Sequence, residues 1–270
     1  MRKQITIFAV LAMMAAVSIT GCKKKETVDL TGIHITESTT VAETMAESTA
    51  AEIETTEAET ESAGSDASEV LNVRSKIATE KNGNVSIEYP ILSNLRNEKT
   101  TETVNALIKE YALKVVDAHE LDPEKDNVTI ACDIISLDRS KAVFVFDGSM
   151  KADDAAYPTG LFYTLTVDLS KGAIEGLSDY ADPYTMAGYI ISEDCIITKA
   201  ADENAAKEYF ASLEVKELWE TLKNCDFNSQ TSDAFPQAFS YEIQGVIYIA
   251  VPVPHALGDY VIVEFHPETK

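Results

Sequence analysis

Apolar and polar residues alternate along several stretches after residue 70, and this period of two predicts β-strands. The clearest stretch has small or apolar side chains at every second position: Val128, Ile130, Cys132 and Ile134. Further strands are predicted at residues 73–79, 85–89, 143–146, 161–167, 238–251 and 260–265. The Asn82-Gly83 pair separates the first two of these, and Asn-Gly is a strong hairpin signal, so we expect a β-hairpin there.

A period of 3.6 replaces the alternation in four other stretches and predicts helices. The longest is 97–120, where one face carries Val104, Leu107, Ile108, Tyr111 and Val115. The others are predicted at 179–192, 202–212 and 215–222. Strands and helices come in runs rather than in strict alternation, so we expect an α+β fold in which an antiparallel sheet packs against several helices. Residues 70–270 are expected to form this single domain.

The start of the chain has the pattern of an exported protein. Arg2 and Lys3 precede an apolar stretch from about residue 5 to 19, which is shorter than the roughly 20 residues that a membrane-spanning helix needs. The following run Ile19-Thr20-Gly21-Cys22 resembles the lipobox of bacterial lipoproteins, where the peptide is cut before the cysteine and its sulfur carries a diacylglycerol. We therefore expect a signal peptide at 1–21 and lipidation at Cys22. The resemblance implies a bacterial protein that is anchored by lipid on the extracytoplasmic face of the cell membrane. We expect the cell envelope to be of the Gram-positive type.

The composition changes sharply after the anchor. Residues 22–69 are rich in Thr, Glu, Ala and Ser, contain no Phe, Tyr or Trp, and carry 12 acidic residues against three lysines. Such a segment cannot bury enough apolar surface to offset its ordering entropy. It is therefore predicted to be a disordered, acidic tether that lifts the domain off the membrane.

The charge of the predicted domain limits its partners. Residues 70–270 contain 17 basic and 33 acidic residues, a net charge of −16 within a chain whose total is −23. A domain this acidic argues against nucleic acid binding, because neutralising phosphates requires a basic surface. The charge is compatible with a cationic partner, and equally with a role in solubility alone.

No known catalytic motif is apparent in the sequence. His119-Glu120 lacks the second histidine of an HExxH zinc site, and no Gly-x-Ser-x-Gly elbow or Walker loop occurs. The carboxylates Asp147, Asp153 and Asp154 do not have the spacing of an EF-hand. We therefore predict a protein that is not an enzyme and that uses no cofactor or metal. The alternative is a cell-wall hydrolase or deacetylase, or an accessory to one, with an unrecognised site built from residues such as Asp168, His255 and Asp259.

Three cysteines remain once Cys22 is assigned to the lipid. Cys132 falls on the apolar face of its predicted strand and is expected to be a buried small hydrophobe. Cys195 and Cys225 bracket two predicted helices, which makes them a candidate disulfide in an exported protein. The alternative is that all three thiols are free.

Several local motifs occur in a recognisable order. They are Tyr-Pro at 89–90, Val-Asn at 104–105, a strand reading into Asp-Leu-x-x-Gly at 168–172, Leu-Ser-Asp at 177–179, an aromatic strand at 239–241, a hairpin with Gly-Val-Ile-Tyr at 245–248 and Ala-Leu-Gly at 256–258. Together they resemble the extracytoplasmic module shared by RsiV-like anti-sigma factors and the N-terminal part of PdaC-type peptidoglycan deacetylases, a family of domains of unknown function. The resemblance covers most of residues 73–266.

The resemblance implies a binding or sensing module rather than a catalytic one. In the anti-sigma relatives this module binds lysozyme, a basic protein. The glycine-rich segment of many members is reduced here to Tyr157-Pro158-Thr159-Gly160, and no deacetylase or cytoplasmic sigma-binding segment is recognised. The expected partners are therefore the membrane, through lipid on Cys22, and a cationic protein or peptidoglycan, with no nucleic acid.

Overall fold

The computed structural model describes residues 72–227 and 234–267. The predicted signal peptide, Cys22 and the whole of the tether lie outside the described residues. Within them the chain forms ten β-strands and five α-helices in an α+β arrangement, as the sequence predicts. The strands are divided between two sheets, where the sequence had suggested one.

The first sheet has six strands in the order β1-β2-β3-β4-β5-β6. Their bounds are β1 (Arg74–Asn82), β2 (Val85–Ser93), β3 (Asn127–Leu137), β4 (Lys141–Lys151), β5 (Thr159–Asp168) and β6 (Ala173–Glu175). The predicted first hairpin is confirmed, with Gly83 and Asn84 as its two loop residues. Neighbouring strands are antiparallel except β2 and β3, which are parallel because helix α1 (Glu98–Ala118) crosses over between them.

Helix α1 forms where the amphipathic pattern predicts it. Asn97 caps its first turn by accepting a hydrogen bond from the Thr100 N–H at 2.8 Å. Its buried face points to the sheet and carries Val104, Ile108, Ala112 and Val115. The side chain of Asn105 joins the helix to β2, because it accepts from the Leu92 N–H at 2.8 Å and donates to the Leu92 carbonyl at 2.9 Å.

The second sheet has four antiparallel strands in the order β7-β10-β9-β8. Their bounds are β7 (Ile196–Lys199), β8 (Phe239–Ile243), β9 (Val246–Pro252) and β10 (Tyr260–Phe265). The stretch predicted as strand over 238–251 forms two strands, because Gln244 and Gly245 take positive φ values of 52° and 83° and turn the chain into a hairpin, as the family motif at 245–248 indicates. Strands β6 and β7 were not predicted.

Four short helices follow the first sheet. They are α2 (Leu177–Tyr180), α3 (Pro183–Ile190), α4 (Glu203–Ala211) and α5 (Val215–Leu222). The single helix predicted over 179–192 is wrong, because Pro183 has no N–H to continue a helix and instead starts a new one. Asp182 caps this second helix by accepting from the Thr185 N–H at 2.9 Å.

Two apolar clusters share the second sheet between them. Its residues Phe239, Ala250 and Ile262 join the cluster between the first sheet and α1. The intervening residues, such as Ile249 and Val263, join a second cluster with α3, α4 and α5. The alternation of side chains along a strand therefore places the second sheet between the first sheet and the short helices. No helix in the described ranges is long and apolar enough to cross a membrane.

Candidate functional site

A cavity of about 620 Å³ lies between the two sheets. Its walls come from the end of α1, the start of β5, the segment 234–237 and strands β8 to β10. The walls contain four aromatic side chains, Phe162, Phe235, Phe239 and Tyr260, among smaller apolar residues such as Ala250 and Val253. The cavity is therefore a largely apolar cleft, which is the usual form of a binding site. We refer to it as the inter-sheet cleft.

A packed aromatic cluster supports one wall of the cleft. Phe235 lies 5.4 Å from both Phe227 and Phe239, measured between ring centroids, and 5.7 Å from Tyr163. Tyr163 is fully buried, and its hydroxyl donates to the Ala112 carbonyl at 2.7 Å. This hydrogen bond joins the cluster to α1, and the ring of Phe235, which forms part of the cleft wall, is packed against three other aromatic rings.

Asp259 supplies a carboxylate to the cleft and also joins the two sheets. Its Oδ2 accepts from the Gly160 N–H of β5 at 2.7 Å, and its Oδ1 lies 2.8 Å from His255 Nδ1. A side chain at Gly160 would approach the carboxylate closely, since a Cβ there would lie 3.3 Å from Asp259 Oδ2. The exposed Tyr157 ring stacks over His255 at 6.5 Å. Tyr157 and His255 thus form an aromatic rim beside Asp259.

Lys199 and Asp147 make a second connection between the sheets, beside Tyr260. Lys199 Nζ lies 2.7 Å from Asp147 Oδ2 and 2.6 Å from the Tyr260 hydroxyl, which itself donates to Asp147 Oδ1 at 2.9 Å. Burial lowers the pKa of Lys199, but the hydrogen bonds to Asp147 and Tyr260 outweigh it and the net shift is upward. The lysine therefore stays charged, and Asp147 neutralises it.

The lining of the cleft is negative overall. His119 is the one histidine among the described lining residues, and burial lowers its pKa, which favours the neutral ring at pH 7. No lysine or arginine is found among these same residues, whereas Asp259 contributes a carboxylate. A cationic group entering the cleft would meet the Asp259 carboxylate and the rings of Phe235 and Phe239, since Lys199 already lies 4.9 Å from the Tyr260 ring.

Two acidic connections flank one end of the cleft. The last residues of α1 and the connection after it are exposed or partly exposed over residues 117–126, and the loop after β4 contains Asp153 and Asp154. Asp126 holds them together, because its Oδ1 accepts from the Asp153 N–H at 2.9 Å and its Oδ2 accepts from the Asp122 N–H at 2.8 Å. His119 and Thr159, which line the cleft, belong to or directly follow these connections. We refer to residues 117–126 with Asp153 and Asp154 as the acidic rim.

Two smaller cavities adjoin the cleft at Gln237. Their volumes are about 320 Å³ and 270 Å³, and Gln237 lines both of them as well as the cleft. They add the carboxylates Glu220 and Glu217 to the surroundings. The described surface around Gln237 is therefore a set of three neighbouring hollows with acidic side chains.

The residues of the alternative enzymatic hypothesis do not converge. His255 and Asp259 are in hydrogen-bond contact, but Asp168 is at the far end of β5 from Gly160, about 26 Å away at roughly 3.3 Å per residue. Asp168 instead pairs with Lys171 at 2.6 Å and accepts from the Ser170 N–H, and these contacts hold its pKa well below the usual range. Asp168 thus has a structural role at a turn.

The described cysteines are all buried and free. Burial raises the pKa of Cys132 to about 12 and that of Cys195 to about 11, and it also raises the pKa of Cys225 well above its usual range. The expected burial of Cys132 is confirmed. Cys195 and Cys225 are unpaired in the structure, which is the alternative that the sequence left open beside a disulfide. Cys22 lies outside the described residues.

Sequence analysis did not identify the buried carboxylate of Asp226. It accepts from the Ser240 N–H and hydroxyl, both at 2.6 Å, and from the Leu177 N–H at 2.9 Å. Burial raises its pKa to about 6 against the opposing effect of these hydrogen bonds. Asp226 thereby links helix α2 to strand β8. Elsewhere in the described ranges, no three His, Cys, Asp or Glu side chains are grouped as metal ligands.

The chain aligns with solved structures of one family. A member of the DUF3298 family from Bacteroides fragilis aligns with a TM-score of 0.42 and 12% identity, over 73% of this chain and 91% of that one. A DUF3298 family protein from Pseudomonas aeruginosa aligns with a TM-score of 0.31 and 9% identity, over 67% of this chain and 82% of that one. The function of this family is unknown. No family model and no curated protein matches the sequence.

Proposed function

We propose that this chain is a non-enzymatic lipoprotein, anchored through Cys22, whose extracytoplasmic domain binds a cationic protein at the inter-sheet cleft. The observation that carries the proposal is the charge of the cleft lining, where a carboxylate and aromatic rings occur without a described lysine or arginine. The anchor rests on the lipobox-like run at 19–22.

The acidic rim supports the same partner class. It adds carboxylates at the end of the cleft where His119 and Thr159 lie, within a domain whose net charge is −16 by count of its 17 basic and 33 acidic residues. Opposite charges raise the rate of encounter between proteins, and a desolvated apolar cleft can then hold an inserted side chain. The resemblance to the RsiV-like module agrees with a basic protein as partner.

Binding of hen lysozyme to the full-length protein in detergent tests the proposal. We expect binding at low ionic strength that weakens steeply when salt shortens the screening length from about 10 Å to about 3 Å. The substitution Gln237→Arg puts a positive charge where the three hollows meet, and it should weaken binding. Gln237 is exposed, so the fold should tolerate the change.

A matched pair separates the cleft from general charge attraction. Glu124→Gln removes a carboxylate from the acidic rim, whereas Glu98→Gln removes one from the opposite end of α1, about 30 Å away at roughly 1.5 Å per residue. If Glu124→Gln weakens lysozyme binding and Glu98→Gln does not, the result supports binding at the cleft. Equal effects of the two variants would show that lysozyme responds to the overall charge of the domain and not to the cleft. Absence of lysozyme binding at low salt would refute the cationic-protein proposal. Co-sedimentation with purified peptidoglycan then distinguishes wall material as the ligand.

A further inference from the structure

Strand β1 is a free edge of the first sheet. It is nine residues long and pairs with β2 alone, and no other strand in the described ranges lies on its second side. Most of its side chains are exposed, including Ile77 at 43%. A long edge strand of this kind presents unpaired backbone N–H and C=O groups to another chain.

The charges along β1 are complementary to those of a second copy of itself. In an antiparallel pair with two-fold symmetry, residues that lie opposite each other must project to the same face of the sheet. Successive side chains point to opposite faces, so the numbers of two paired residues must differ by an even number, and the axis must pass through a residue. An axis at Ala78 pairs all nine residues, whereas an axis at any neighbouring residue shortens the pair. In that register Lys76 lies opposite Glu80 of the second copy, and the symmetry makes this ion pair twice.

A shallow cavity lies beside this edge on the side of α1. Lys76, Ala78 and Glu80 share that side, because Ala78 and Glu80 pair with Tyr89 and Ile87, whose side chains are buried beneath the helix. The cavity has a volume of about 540 Å³, and its lining includes Tyr89, Ile91, Ala106 and Leu113.

Pairing through β1 would cover this cavity. Strands in a sheet are about 4.8 Å apart, so the two β2 strands would lie about 14 Å apart, with both α1 helices on the same face. The second copy's α1 would then lie beside the cavity. Glu80 already pairs with Lys109 of α1 at 2.9 Å, whereas Lys76 has no ion-pair partner within the described chain.

We propose that β1 is the interface of a homodimer, in which two copies join their first sheets edge to edge around Ala78. The occupant of the edge is thus a second copy of this chain, held by backbone hydrogen bonds, by the reciprocal Lys76–Glu80 pairs and by α1 against the cavity. This inference is independent of the ligand proposed for the inter-sheet cleft.

Disulfide trapping in the full-length, membrane-anchored protein tests the register. In an antiparallel pair centred on residue 78, the two Cα atoms at that position are about 5 Å apart, within the range that a disulfide spans. Ala78→Cys should therefore give a covalent dimer on mild oxidation, seen on a non-reducing gel. Lys81→Cys is the matched control, because its two copies would be about 20 Å apart. The three native thiols in the domain are buried.

Charge substitutions test the ion pairs in the same assay. Added to Ala78→Cys, Lys76→Glu should reduce trapping about tenfold, because it sets like charges opposite each other twice. The double change Lys76→Glu with Glu80→Lys should restore it. No dimer at position 78, equal trapping at 78 and 81, or trapping unaffected by Lys76→Glu would each overturn the proposal. Native mass spectrometry of the unmodified protein in detergent should show a dimer, and monomer alone would also overturn it.

Discussion

The buried carboxylate of Asp226 accepts two hydrogen bonds from Ser240, one from its backbone N–H and one from its hydroxyl, each at 2.6 Å. The Tyr180 hydroxyl is in turn hydrogen-bonded to the Ser240 hydroxyl. Helix α2 and strand β8, which belong to different parts of the sequence, are thereby joined through one ionisable group. A buried network of this kind specifies a unique arrangement when every member is satisfied.

Asp226 should make the stability of the domain depend on pH in an unusual direction. Its pKa is raised from 3.8 to about 6, so the folded state holds the proton more tightly than the unfolded state. The stabilisation is complete below about pH 4 and is lost as the pH rises through about 6, with an upper size of about 3 kcal/mol.

The substitution Asp226→Asn isolates this effect. Asparagine has no proton to lose, so the wild-type free energy of unfolding should fall relative to that of the variant between pH 4 and pH 7. Urea denaturation of both proteins across this range measures the difference, from which the titration of all other carboxylates cancels. A difference that stays constant with pH would contradict the raised pKa.

Asp168 should behave in the opposite way. The hydrogen bonds and ion pair from Lys171 and Ser170 lower its pKa, so it stabilises the fold above the pKa of an unfolded aspartate, and the stabilisation is lost as the pH falls through the lower folded value. Asp168→Asn should lower the free energy of unfolding by about 1 kcal/mol at pH 7. The loss should be this small because the Lys171 side chain is exposed and solvent screens the ion pair. The deficit should disappear in acid. Persistence of the full deficit at pH 2 would show that the carboxylate charge is irrelevant.

Local patterns in the sequence account for the elements that were predicted correctly. Helix α1 carries a period of 3.6 and strand β3 a period of 2, which burial on one face imposes directly, whereas β10 was recognised as a short apolar run and is buried on both faces. The β8–β9 hairpin was indicated only by the family motif at 245–248, because its turn is Gln244-Gly245 rather than a strong turn pair, between strands rich in apolar residues. Pro183 is a signal for a helix break, but the apolar residues on either side of it have a helical spacing, and for this reason one continuous helix was predicted.

The inter-sheet cleft could not be predicted from local patterns. Its lining brings together His119, Gly160, Phe235 and Asp259, which come from four distant segments and meet only when the second sheet packs on the first. Asp226 is a similar case, since a single aspartate after a cysteine has no pattern that marks it as buried. By contrast, the Val-Asn pair at 104–105 was noticed as a motif, and the structure gives its reason in the two hydrogen bonds between Asn105 and Leu92.

Gly148, in strand β4, should tolerate no side chain. A Cβ there would lie 2.1 Å from the Thr129 carbonyl oxygen and 2.8 Å from the Ile130 Cα, both backbone atoms of the paired strand β3. Gly148→Ala should therefore destabilise the domain by about 2–4 kcal/mol, because the two strands must separate.

Gly188 supplies the matched control for this prediction. It lies in helix α3, and a Cβ at that position meets nothing within 4 Å. Gly188→Ala should stabilise the domain by about 0.5–1 kcal/mol, since alanine is the better helix former. Thermal denaturation of the two variants compares them directly. Equal effects would mean that neither the close approach at Gly148 nor the open space at Gly188 governs the result.

The three described thiols should be inert in the folded protein. Cys132, Cys195 and Cys225 are buried, and burial raises the pKa of each, so little thiolate forms at neutral pH. We expect no reaction with iodoacetamide under native conditions and modification of all three after unfolding without reductant, counted by mass spectrometry. If only one thiol reacts after unfolding and reductant releases two more, Cys195 and Cys225 would be the candidate disulfide of the exported protein. Reaction of Cys132 before unfolding would instead show that its strand opens, because the native sheet leaves that thiol only 6% exposed.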